Sequence, residues 1–426
     1  MQKIKEFFVK LFCTIGRFFK KLGLKIAEFF KDLFTVHDGK PPLIHTALKK
    51  DGVQIAIASI ICAVLGLFAG FLILLCLNPE HAAEGLGDIL KAYFIFSNRE
   101  LRLENFGNMI VKAVPLLMCG LSVLFAYKTG LFNIGVAGQY CMGICASLFA
   151  AIAWQLPWYL CVLFAIAVGA IWGMISGAFK AIFNVNEVIA CIMTNWIGLY
   201  ITNIFLADER VSNPSLSETY NITAKNPGAI LPALGLDKLF GSGYVTIALI
   251  LSVIIAIVIS VLLSKTTFGY QIKATGLNKH AALYSGMKHN RNIIVTMAIA
   301  GGLAAAGASF YYLTGIENYK SSGSLPATGF NGIAVAFLGG LNPIGTIFAS
   351  LFVQHIMVGG AYLDTTYFNP QVADLIVAII IYLCAFVLFI RQFMSKRLKK
   401  KDEIYSALLS APVNEINSTA KKRENN

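Results

Sequence analysis

Polar side chains able to grip a solute are few in this 426-residue sequence, and most of them lie inside long apolar runs. Asn133 and Gln139 border the stretch Leu131–Phe132–Asn133–Ile134–Gly135–Val136–Ala137–Gly138–Gln139, where two glycines can break helical regularity. Irregular backbone at membrane depth normally lines a cavity. Asn195 falls about two turns into a later run with Thr202 on nearly the same face; Asn186, nine residues earlier, points the opposite way at ~100° per residue. An amide both donates and accepts hydrogen bonds, so each of these can hold a hydroxylated or heterocyclic solute, and each can equally tie two helices together. Glu187 opens the run that holds Asn195. A carboxylate there is costly and often functional, but near the cytoplasmic end it can also pair with a lysine of the segment 265–290 as a gating or structural element. Asp374 reads as an interfacial carboxylate of the same kind.

Other chemistry is not supported. The nine cysteines (13, 62, 76, 119, 141, 145, 161, 191, 384) sit almost entirely in apolar runs and form no CxxC, so they read as packed free thiols. No GxxxxGK[ST] occurs, and the Gly39–Lys40 pair has no phosphate loop before it. Neither a metal-binding His/Glu cluster nor a nucleophile–base pair is evident, so no catalytic residue, metal or cofactor is expected. The Lys128–Thr129–Gly130 triplet lacks companion serine motifs and carries no meaning alone.

These residues must be positioned by membrane helices. The chain is 57% hydrophobic and only 13% charged, where a soluble domain has about 25% charged residues. Apolar runs of roughly 20 residues suffice to cross ~30 Å of hydrocarbon. Backbone in lipid must satisfy its own hydrogen bonds, so the runs are helices. Spans are expected at Val53–Leu77, Phe106–Tyr127, Leu131–Ala153, Trp158–Phe179, Val188–Leu206, Tyr244–Leu263, Ile293–Leu313, Gly332–Leu341, Ile344–Val358 and Val372–Ile390. The fold class is therefore all-α, a polytopic transmembrane helix bundle of about ten spans. Small residues at four-residue spacing (Gly66 and Gly70; Gly169, Gly173 and Gly177; Gly302 and Ala306 with the neighbouring Ala305 and Gly307) suit close helix packing.

The net charge of +13 does not point to nucleic acid, because the basic residues cluster at particular ends of the apolar runs. Residues 1–51 are rich in Lys and Arg, as are 265–291 and the tail that begins with Arg391. Ten spans put all three basic segments on one side, the cytoplasmic one, with both termini inside. Residues 1–34 alternate apolar and basic at helical period and read as an amphipathic helix on the lipid surface, not a cleavable signal. Three regions follow: a basic amphipathic segment over 1–51, a transmembrane region over 52–391, and a basic tail over 392–426.

Segment 265–290, KTTFGYQIKATGLNKHAALYSGMKHN, is cytoplasmic by charge yet patterned. Asn278 suits the N-cap of a short helix over Lys279–Ser285, closed by Gly286. Gly269, Ala274, Gly276, Asn278, Ala281, Ala282 and Gly286 resemble the pattern of the ABC importer permeases that serve ribose, branched-chain amino acids and nucleosides. The resemblance continues through Gly301–Gly302–Leu303–Ala304 and Gly329–Phe330–Asn331–Gly332, and covers roughly residues 105–390. Leu131–Gln139, Asn186–Ala190 and Met193–Ile197 are most similar to the nucleoside branch. Many members carry an acidic residue where this chain has Ala137, so a role for such a carboxylate is unfilled.

The resemblance implies a permease subunit in a bacterial inner membrane, working by alternating access, with nucleoside first and ribose-like sugar second as substrate. It implies a separate ABC ATPase subunit that docks on 265–290 through Lys273, Gly276, Asn278, Ala281, Ala282 and Gly286. It further implies a second permease subunit and an extracytoplasmic substrate-binding lipoprotein. Phe132, Asn133, Gln139, Asn195 and Thr202 are the expected pathway residues, with Asn186 and Glu187 in gating or structural roles. A secondary transporter is the competing class, but the central stretches show no convincing ion-coupling charge.

Overall fold

The computed structural model describes residues 51–213, 217–369, 371–384 and 386–410. The expected amphipathic helix over 1–34 and the last part of the basic tail lie outside the described residues. Packing divides the chain into two units, Met1–Ala58 with Leu388–Asn426, and Ser59–Val387. Within the described part of the first unit, Arg397 places its guanidinium over the Phe393 ring, 4.5 Å from the centroid.

Each of the ten expected segments carries a helix. Seven are long and apolar enough to cross a membrane: α1 (Asp51–Leu77, less its first residue), α3 (Arg99–Lys128), α5 (Trp158–Phe183), α6 (Glu187–Leu206), α9 (Ala248–Lys265), α12 (His289–Tyr312) and α14 (Pro343–Gly360). Two shorter apolar helices, α4 (Val136–Ile152) and α13 (Ala327–Leu338), fill the bundle, followed by α15 (Gln371–Cys384) and α16 (Val387–Ser410). Between α1 and α3 lies the short α2 (Ala82–Lys91); α7 (Ile222–Lys225) and α8 (Leu236–Phe240) interrupt the long connection before α9.

Helix starts follow local capping chemistry. Asn98, Asn186, Asn278 and Asn342 each accept a backbone N–H from two or three residues ahead, and Thr266 does the same with its hydroxyl. Such caps satisfy donors that the first turn leaves open. Pro343 follows Asn342 at the first helical position, where its missing N–H costs nothing.

At the centre is α12, buried along most of its length against α3, α4 and α5. Its seam with α5 runs backbone to backbone: a Cβ on Gly173 would overlap the Met297 carbonyl, and one on Gly301 would overlap the Gly169 carbonyl. Close approach through small residues is the main way apolar helices gain contact in lipid. The closest seam residues on α12 are Gly301 and Ala305; Ala305 belongs to the small-residue stretch expected from spacing, and Gly302 meets Ile166 of α5 at an ordinary 3.4 Å.

The described residues of the segment 207–247 form a cover at the end of the bundle where α4 ends, with Asn226 donating its amide to the Ala151 and Leu156 carbonyls at 2.9 and 3.0 Å. Among the described residues its strands are a two-residue pair, β1 (Ser212–Asn213) with β2 (Glu218–Thr219). Thr219 donates its N–H to the Tyr319 carbonyl (2.9 Å), and Tyr319 donates back to the Thr219 hydroxyl (3.1 Å). Beside them Arg210 grips both oxygens of Asp208 at 2.8–2.9 Å and lowers its pKa to about 2. That contribution is complete above the ordinary carboxylate range and is lost as pH falls through about 2.

Candidate functional site

A cavity of about 600 Å³ opens among α3, α4, α12, α13 and α14. Four tyrosines line it: Tyr140 at the start of α4, Tyr311 and Tyr312 at the end of α12, and Tyr362 just past α14. Asn105, Asn108 and Gln354 add amides, Thr328 a hydroxyl, and Lys112 and Glu317 opposite charges. Pro115 also lines the wall and breaks the hydrogen-bond ladder of α3 at that height. The volume, and a lining that combines four aromatic rings and aliphatic side chains with directed polar groups, suit a small-molecule site.

Several polar groups are already oriented. Tyr311 donates its hydroxyl to Glu317 (2.6 Å), Ser242 donates to the Asn108 carbonyl oxygen (2.7 Å), and Tyr362 donates to that of Asn105 (3.2 Å). Asn105 spends its amide nitrogen on the Leu101 carbonyl. The Asn108 amide nitrogen and the Lys112 ammonium have no hydrogen-bond partner among the described residues, so both face the cavity as donors for a ligand. Glu317 keeps one oxygen as an acceptor. Aromatic faces beside such groups can sandwich a planar ring and bond its edge or an attached hydroxyl.

The amides singled out in the sequence lie elsewhere. Asn133 and Gln139 exchange two hydrogen bonds (2.9 and 3.2 Å), and Asn133 also donates to Ser122 (3.1 Å); both are buried. Asn195 accepts from the Gly138 N–H (2.8 Å) and donates to the Ile134 carbonyl (3.0 Å). Thr202 donates to the Gly198 and Cys141 carbonyls. These contacts tie the irregular Thr129–Gly135 stretch and α4 to α3 and α6. Phe132 packs near Phe337, 6.3 Å between rings. Asn195 also borders a second, smaller cavity of about 360 Å³ with Ile134, Trp196 and Phe330. Asn186 caps α6, and Glu187 pairs with Lys180 of α5 (2.9 Å) rather than with a lysine of segment 265–290.

Asn195→Leu removes a donor and an acceptor at once and strands the Gly138 N–H and Ile134 carbonyl in the interior. The expected cost is about 1–3 kcal/mol for each group left unpaired. A fall in the thermal midpoint of the detergent-purified protein of several degrees checks this; an unchanged midpoint would show that the bonds are replaceable.

Cavity residues were hard to see in advance because they come from five helices and no two form a motif. Lys112 was the exception: a cation within the expected Phe106–Tyr127 span is an anomaly that could have been flagged.

At the end of the bundle away from the cavity cover, segment 265–290 folds into α10 (Thr267–Leu277) and α11 (Lys279–Tyr284). Asn278 accepts the Ala281 N–H at 3.1 Å, and Gly286 adopts φ +78°, a left-handed conformation that suits glycine. Ala282 is buried, whereas Leu277 and Tyr284 are 88% and 93% exposed. Leu277 ends α10 and Tyr284 ends α11, so each helix holds one large apolar side chain out at this end of the bundle. Among the described residues no group of three His, Cys, Asp or Glu could hold a metal ion.

Comparison with known proteins places this architecture. A family profile described as "Branched-chain amino acid transport system / permease component" matches residues 105–385. The Guanosine ABC transporter permease protein NupP of Bacillus subtilis (strain 168) is 33% identical over 348 residues, 80% of this chain and 96% of that protein. The Nucleoside ABC transporter permease protein NupB of Lactococcus lactis subsp. cremoris is 31% identical over 350 residues, covering 80% and 93%. The Glucose ABC transporter permease protein TsgB13 of Haloferax volcanii is 27% identical over 294 residues, covering 66% and 77%. No solved structure matches the chain.

Proposed function

The chain belongs to the family of permease components of the branched-chain amino acid transport system, and from that premise we propose that it forms the translocation pathway for nucleosides in an ATP-driven importer. It is a multi-pass membrane protein and a transport subunit, not an enzyme. The observation that carries the substrate reading is the cavity of about 600 Å³, with its four tyrosines, its amides and Lys112, which has no partner among the described residues. A nucleoside offers a flat base to the tyrosine faces and a ribose and base edge to the amides, Lys112 and Glu317. Stacking of a base on an aromatic side chain contributes about 1–3 kcal/mol.

The basic segments favour a topology with both termini cytoplasmic, which puts the cavity towards the outside and α10–α11 inside. A substrate-binding lipoprotein delivers nucleoside to the outer cover, and a second permease, a related chain, completes the pathway. Two ATPase subunits dock on the inside, one of them on α11, and their closure drives alternating access. Asn133, Gln139, Asn195 and Thr202 act in this scheme as the frame that holds the pathway helices; Asn186 and Glu187 fix the entry to α6.

Radiolabelled nucleoside uptake with competing nucleosides and pentoses tests the substrate. Unlabelled nucleoside should suppress uptake while ribose in excess should not; suppression by ribose alone would favour the sugar reading. Lys112→Met should lower uptake roughly tenfold, the loss of one charge-assisted hydrogen bond, with the amount of membrane protein unchanged. Tyr284→Asp changes an exposed side chain and should leave folding intact. It should weaken ATPase association by about 2 kcal/mol or more, roughly 30-fold, as loss of a central interface aromatic does. Undiminished co-purification of the ATPase would remove α11 as its docking element.

A further inference from the structure

Resting on the importer reading above, we propose that the turn Thr129–Gly130 is a two-position clasp that carries movement of the docking helices to the cavity. Helix α3 lines the cavity with Asn105–Leu116 and ends, at the other face of the bundle, in this turn. Gly130 adopts φ +79°, and Gly276 of α10 lies directly against it. A Cβ on Gly276 would come 2.6 Å from the Lys128 carbonyl oxygen and 2.8 Å from the Gly130 nitrogen, so the two backbones touch with nothing between them. A shift of α10 therefore pushes the turn without slack.

One buried polar pair holds the turn to α12, and a second ties α12 to α10 beside it. The Thr129 and Thr296 hydroxyls are 3.0 Å apart, and Asn292 donates its amide N–H to the Thr275 hydroxyl at 3.0 Å. All four residues are at most 4% exposed. The Asn292 carbonyl oxygen is buried and has no hydrogen-bond partner among the described residues. Buried acceptors are rarely left so. Thr296 lies one turn after Asn292 on the same face of α12, so a shifted turn can pass the Thr129 hydroxyl from Thr296 to the waiting Asn292 oxygen. Both positions of the clasp are then hydrogen-bonded, which is what a discrete switch requires.

The turn leads straight to the cavity. Three residues after Gly130 comes Asn133, bonded to Gln139 and Ser122, and Tyr140 in the cavity wall adjoins Gln139. The amide frame thus joins the clasp to a substrate-facing ring, and Thr129, Thr296 and Asn292 are positioning residues rather than ligands of the substrate.

The test uses the complete importer in proteoliposomes, reading ATP hydrolysis and nucleoside uptake together. Thr129→Val keeps the shape and removes the hydroxyl. ATP hydrolysis should persist near the wild-type rate while uptake per ATP falls roughly 5–150-fold, the usual range of a coupling effect. Thr129→Ser should restore uptake. As a second arm, Thr129→Cys with Thr296→Cys, oxidised to a disulfide, should stop uptake while hydrolysis continues, and reductant should restore it, which also shows that the variant is folded. Wild-type uptake by Thr129→Val, or full uptake by the cross-linked importer, would overturn the clasp and leave the importer reading standing. Equal loss of hydrolysis and uptake in both the Val and Ser variants would mark a structural role and overturn it too. Failure of the importer reading is seen separately, as absence of ATP-dependent uptake in the wild type.

Discussion

Gly173→Leu is expected to leave almost no folded permease in the membrane. Even a Cβ at this position would overlap the Met297 carbonyl, and Gly301 lies beside it at 3.1 Å. The obstacle is backbone in a helix buried along most of its length, so no rotamer change relieves it. Overpacking a core by a few methylenes costs about 1–3 kcal/mol where side chains can move. Here two helices must separate along the whole Gly169–Gly173 seam, and the loss should consume most of a typical stability of about 5–15 kcal/mol. Gly173→Ala should be intermediate. Gly87→Ala is the control, because nothing lies within 4 Å of its added Cβ. Size-exclusion profiles after detergent extraction read the result; a monodisperse peak for Gly173→Leu at wild-type yield would mean that the seam is not close-packed.

The second large effect is on the cavity. Tyr312→Ala should reduce nucleoside uptake roughly 5–150-fold, equivalent to about 1–3 kcal/mol of lost base stacking. Tyr312→Phe keeps the ring and should keep most of the uptake. The loss should be shared by all nucleosides, since stacking reads the ring face and not its edge. Lys112→Met, by contrast, should discriminate among bases by the acceptors they offer. If Tyr312→Ala transports like the wild type, the cavity is not the site of passage, and the smaller one beside Asn195 and Trp196 becomes the candidate.

Much of the fold was legible because hydrocarbon leaves the chain little choice. Ten apolar segments became ten helical regions, and Asn278 and Gly286 framed a short helix where capping chemistry requires one. Capping and hydropathy are local, so one sequence suffices to read them. Helix facing is not local: Gly301 meets α5 backbone to backbone while Gly302 meets it only at ordinary contact distance, because the closeness depends on every other contact of α12. The same limit governed the site. Asn133 and Gln139 are six residues apart and could be seen as a pair, but whether they face a solute or each other is decided by Ser122 on another helix. Tyr140, Tyr311, Tyr362 and Gln354 converge only once five helices have packed. Glu187 met a lysine, as its cost in the membrane demands, yet the partner was Lys180 across the preceding turn.

Nucleoside uptake into proteoliposomes containing this chain, its partner permease, the ATPase and the binding protein tests the central claim most directly. Uptake should require ATP, stimulate its hydrolysis, and vanish when the ATPase is omitted or inactivated. Nucleoside accumulation that continues without the ATPase would contradict the account.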